Sequence, residues 1–112
     1  MALQIKKTYR GVNTEMLRDE IRDLVQKLGI TAGDTRVQTY SLPSGSTQSR
    51  VTLIFKAQAR QKEECGYAHI IGSPDGETRM LIELDEKQIP QETISALQEE
   101  LGFLLDSYEV KW

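Results

Sequence analysis

Cys65, Tyr67, His69 and Ile71 recur at every second position in a stretch with strand character, and they hold the only cysteine and the only histidine of the chain. On an extended backbone Cys65 and His69 share a side but stand about 13–14 Å apart at ~3.4 Å per residue. That is too far for one metal ion or for a nucleophile–base pair. His69 is therefore expected as a hydrogen-bonded or surface histidine. Cys65 is expected as an unreactive thiol, since no neighbouring pair of basic residues would depress its pKa. Glu83 and Asp85 are neighbours on one strand face, near the separation of paired acid–base carboxylates. Arg79 precedes them on that face, and a solvated, partly paired ladder accounts for all three. The loop Pro43 to Ser49 could order on an anion through amides and hydroxyls, but it lacks the glycine and lysine spacing of a phosphate loop and reads as a hairpin connection. The phosphate-loop, dinucleotide, nucleophile-elbow, metalloprotease and calcium-loop patterns are absent. No catalytic residue, metal ligand or cofactor is assigned.

The elements that must position these residues follow from periodicity. Leu3 to Tyr9 suits a strand ending at Gly11. Asn13 stands where a helix N-cap is wanted; Leu17, Ile21, Leu24, Val25 and Leu28 then form one apolar stripe, and Gly29 supplies a left-handed stop. Arg36 to Leu42 reads as a strand with no clear buried face. Val51, Leu53, Phe55 and Ala57 recur at period two, opposite Arg50, Thr52 and Lys56. Tyr67 to Ile71 is a further strand, and Ser73-Pro74-Asp75-Gly76 has the residues of a tight turn, so a hairpin through Tyr67 to Leu84 is expected. Its second arm places Thr78, Met80, Ile82 and Leu84 on one face. Pro90 suits a first helical turn, and Ile94, Leu97, Leu101, Leu104 and Leu105 line the helix beyond it. The tail Tyr108 to Trp112 reads as a short strand or as more helix.

Strand, helix, four strands and helix define a single α+β domain over residues 1–112. It is expected as a two-layer sandwich of a mainly antiparallel sheet of four to six strands, with both helices on one face. That element order resembles the repeat unit of the TATA-binding protein and the helix-grip folds that hold apolar ligands. The resemblance is one of fold, with no sequence motif of either family.

Composition supports a soluble globular chain, with 38% hydrophobic and 28% charged residues. No apolar run reaches membrane-spanning length, and the basic, short-stretched N-terminus does not read as a secretory signal. One cysteine allows no internal disulfide, so a reducing, cytoplasmic setting is expected. Charge is uneven: residues 1–62 carry eleven Lys and Arg against five Asp and Glu (+6), residues 63–112 three against twelve (−9). Lys6, Lys7, Arg10, Arg50, Lys56, Arg60 and Lys62 would form a basic stripe if the first and third strands lay side by side. The pI near 5.2 weighs against nucleic acid as a partner.

The function expected from these readings is a non-catalytic binding or protein-interaction domain that self-associates through the sheet face its helices leave open. Tyr40, Ile54, Ile70 and Leu81 are the expected apolar contacts of a homodimer. One alternative is a small enzyme, or a carrier of an apolar small molecule, with a cleft between helix and sheet lined by Tyr67, His69, Met80 and Ile82; another is a weak nucleic-acid-binding domain.

Overall fold

The computed structural model describes residues 2–57, 64–73 and 76–110. The elements are β1 (Ala2–Arg10), α1 (Thr14–Lys27), β2 (Ile30–Ser41), β3 (Thr47–Ala57), β4 (Glu64–Gly72), β5 (Glu77–Asp85) and α2 (Gln91–Leu105). All strand pairs are antiparallel and the sheet order is β1-β5-β4-β3-β2. The expected α+β order and the layering of helices on one sheet face are therefore found.

Helix α1 begins where the sequence places it. Asn13 Oδ1 accepts from the Met16 amide at 2.8 Å, which satisfies one of the donors a helix start leaves open. Leu17, Ile21, Leu24 and Val25 are its buried face. Gly29, at φ +84°, carries the chain out of the helix. Helix α2 starts one residue after Pro90, whose carbonyl accepts from Thr93 and Ile94. Ile94, Leu97, Leu101 and Leu105 are buried against the sheet, whereas Leu104 is 40% exposed, outside the expected stripe.

The core is a single cluster. Leu53, Phe55, Ile70, Ile82 and Leu84 of the sheet are fully enclosed with the two helical stripes. Each side chain of this size stabilises the fold by roughly 1.5–3 kcal/mol on burial. Thr78 is the buried polar residue among them; its hydroxyl donates to the Val12 carbonyl at 2.7 Å, tying β5 to the start of α1.

Strand β2 is longer than Arg36 to Leu42. It starts at Ile30 and accommodates an irregularity between Ala32 and Thr35. The expected hairpin closes with Ser73 N–H donating to Glu77 O at 2.9 Å and Gly76 at φ +89°; Pro74 and Asp75 lie outside the described residues. Beyond α2 a 3-10 turn spans Asp106–Tyr108. Glu109 then bridges to Tyr9, and the Val110 amide donates to Thr8 O at 2.8 Å. The tail thus joins both expected alternatives, a last helical turn followed by a scrap of strand on the free edge of β1.

A β-bulge corrects the expected parity of β4. Phe55 pairs with Gly66 but Lys56 pairs with Glu64, leaving Cys65 as the extra residue. An extra residue reverses the alternation beyond it. Cys65 is consequently buried on the helix side, while Tyr67, His69 and Ile71 point to the opposite side. Ile70, expected outside, is fully enclosed in the core.

Candidate ligand-binding face

The sheet face away from the helices is built from cross-strand rows that the pairing register fixes. One middle row runs Lys6, Leu81, His69, Thr52, Arg36, and the next runs Thr8, Arg79, Ile71, Arg50, Gln38. These rows hold four cations and no carboxylate. The flanking row, Gln4, Glu83, Tyr67, Ile54, supplies one carboxylate, to which the Tyr67 hydroxyl donates. At the other end Arg10 Nη2 meets Glu77 Oε1 at 3.0 Å. Lys6 and Arg79 have no ion-pair partner among the described residues.

Opposite charge collects on one helix. Helix α2 carries Glu92, Glu99 and Glu100, all exposed, and no basic residue. Helix α1 is nearly balanced, with Arg18, Arg22 and Lys27 against Glu15, Asp19, Glu20 and Asp23, so the acidic surface of the helix side is that of α2. The expected neighbouring of β1 and β3 is not found, because β5 and β4 lie between them. Arg79 on β5 fills that gap, a residue the expected basic stripe left out. Its signal was in the sequence, since it alternates with Met80 on the side away from the core. Arg60 and Lys62 lie outside the described residues.

His69 sits at the centre of this face. Its Nδ1 is 3.0 Å from Thr52 Oγ1, and its ring packs against that of Tyr67 with centroids 4.6 Å apart. Partial burial, helped by the nearby Arg50, lowers its pKa below the usual value of 6.5, with Glu83 opposing. The neutral imidazole is thereby favoured. Tyr67 is shifted upward, first by its hydrogen bond to Glu83 and then by desolvation. Arg50 also lies over the Tyr40 ring, 5.8 Å from its centroid.

A concavity of about 760 Å³ opens here, with Lys6, Lys7, Arg50 and Arg79 as its cations and Ile71 and Leu81 as apolar floor. Glu109 and Val110 bound it on the β1 side, and Glu109 is held by Lys7 Nζ at 2.7 Å.

The expected site residues divide accordingly. Tyr67 and His69 are on the open face, but Met80 and Ile82 are buried in the core, so these four do not share a cleft between helix and sheet. Of the expected contact residues, Ile54 and Leu81 are half-buried on the open face and Tyr40 is 41% exposed. Ile70 is in the core, and Ile71 takes its place outside. Asp85, separated from Glu83 by one residue, is drawn instead to Gln88 and the Lys87 amide, which hold its carboxyl below the usual range. Among the described residues no group of three or more metal-ligating side chains converges, and no helix is long and apolar enough to cross a membrane. Comparison with protein-family models, curated proteins and solved structures finds no match for this chain.

Proposed function

We propose that this protein is a non-catalytic binding domain that takes an anionic partner on its open sheet face. One observation carries the reading: two adjacent rows hold Lys6, Arg36, Arg50 and Arg79 with no carboxylate between them. Like charges gathered on one surface repel and destabilise the free protein slightly, while raising the rate at which an anion is captured.

The homodimer through this face fares less well on the same physics. It loses Ile70 as a contact, and two copies placed face to face would bring cations against cations. Carriage of an apolar molecule between helix and sheet has little room, since Leu53, Phe55, Ile70 and Ile82 fill that layer with no exposed surface and the cleft between β1 and α2 holds about 150 Å³.

An amide-shift titration of the isotope-labelled chain tests the proposal with three anions: inorganic phosphate, a short single-stranded oligonucleotide and an acyl carboxylate. At least one should move the amides of Lys6, Thr8, His69 and Arg79, with an affinity that falls as salt rises. The paired reversal Lys6→Glu with Arg79→Glu should abolish the effect, and Glu99→Lys should leave it. Three anions that leave these amides unmoved at millimolar concentration would dispose of the reading.

A further inference from the structure

We infer that the occupant of the open face is a small organic anion with an apolar body, its charged head between Lys6 and Arg79 and its body on Leu81 and Ile71. The inference rests on the proposed anion-binding face and adds the chemical class of the ligand.

Size is the first argument. A space of about 760 Å³ falls within the roughly 300–1,000 Å³ typical of small-molecule sites. Its lining is the second. Leu81 and Ile71 are half-buried, so each presents part of an aliphatic side chain outward between cationic neighbours. A fully hydrated anion such as phosphate would leave that floor wet, and a neutral hydrocarbon would leave the cations unanswered. A molecule with both parts satisfies both.

Cation placement is the third. Lys6 and Arg79 lie on adjacent strands, one row apart, which sets their Cα atoms roughly 8 Å from one another by ordinary sheet spacing. Side chains of that length converge on a single carboxylate or phosphate head. Arg50 lies in the same row as Arg79, two strands further across, and closes the far side. Glu109, the carboxylate on the rim, is already neutralised by Lys7.

A nucleic-acid strand fits the same cavity poorly. Single-stranded binding combines a charged track with aromatic rings on which bases stack. Neither Tyr40 nor Tyr67 lines the concavity, the His69 ring that does is already packed on Tyr67, and the tail at Glu109 and Val110 bounds the β1 side where a strand would have to continue.

The experiment compares four probes against the full chain by calorimetry and amide shifts: decanoate below its micelle concentration, 1-decanol, inorganic phosphate and a short oligothymidylate. Decanoate should bind at least tenfold more tightly than any of the other three and shift Lys6, His69, Arg79 and Leu81. Lys6→Gln and Arg79→Gln should each weaken it by roughly tenfold, the loss of one charge-assisted hydrogen bond. Leu81→Asn should weaken decanoate but not phosphate. Dispersed amide spectra of these surface variants establish that they fold. Decanoate binding no better than phosphate or decanol overturns the inference, as does tighter binding of the oligonucleotide. In the phosphate and oligonucleotide outcomes the anion-binding face survives; if no charged probe moves those amides, both readings fall.

Discussion

Substituting Gly66 by alanine should be among the most damaging single-methyl additions this chain can receive. Gly66 sits at the bulge of β4, between Phe55 on one side and Leu84 on the other. A Cβ there would run into the carbonyl oxygen of Glu83 and approach the Leu84 Cα to 3.2 Å. Both obstacles are backbone of β5, which is paired on its far side with β1, so neither can withdraw without opening a second ladder. Overpacking typically costs about 1–3 kcal/mol, and an immovable backbone obstacle places this case near 3 kcal/mol. At about 4 °C per kcal/mol for a domain of this size, the melting temperature should fall by roughly 12 °C. Gly102→Ala provides the opposite sign. That glycine lies in α2 with nothing within 4 Å of its added methyl, so about 0.5–1 kcal/mol of stabilisation is expected. Thermal and urea denaturation followed by circular dichroism reads both. A Gly66→Ala protein within about 0.5 kcal/mol of wild type would mean that β4 and β5 do not approach as described, and the outward placement of Tyr67, His69 and Ile71 would go with it.

Thr78→Val should cost about 1–3 kcal/mol in the same denaturation assay, because it leaves the buried Val12 carbonyl without its 2.7 Å donor; Thr78→Ser, which keeps the hydroxyl, should recover most of the hydrogen-bond share. Folding lowers the pKa of His69 below 6.5, so the unfolded chain binds more protons. The contribution is present above pH 6.5 and is lost as pH falls through the lower folded value. His69→Gln should flatten stability against pH across that acidic window, and an unchanged profile would show that the imidazole is as solvated in the fold as out of it.

Legibility in the sequence follows the range of the forces involved. Helix α1 was readable because its cap, stripe and stop lie within seventeen consecutive residues, Asn13 to Gly29. Strand β5 was readable because Met80, Ile82 and Leu84 alternate without interruption. Strand β4 defeated the same reasoning. Ile70 and Ile71 are both apolar, so composition does not say which is inside, and the parity carried over from Cys65 crosses a bulge that only the pairing with β3 reveals. The early part of β2 was obscured by Gly33 and Asp34, which have turn character but sit within the paired strand. The binding face was hidden for a further reason. Lys6, Arg79 and Arg50 are far apart in sequence; Arg79 stands beside Lys6 only because β5 pairs with β1, and it shares a row with Arg50 only through β4.

The pairing of the N-terminal strand also sets an order of events in folding. Strands β2 to β5 form a meander whose neighbours are joined by short connections, whereas Arg10 meets Glu77 across 67 residues. Closing a loop of that length instead of a hairpin of a few residues costs roughly 2 kcal/mol more in chain entropy. Local hairpins are accordingly the cheaper first contacts, and β1 docks onto a β5 that is already in place. The tail then reaches back to Thr8 and fastens the strand from its outer side. Strand β1 and the tail at Glu109 and Val110 are therefore late arrivals that hold one another, and amide exchange should find β1 and Val110 opening together, ahead of the hairpins between them.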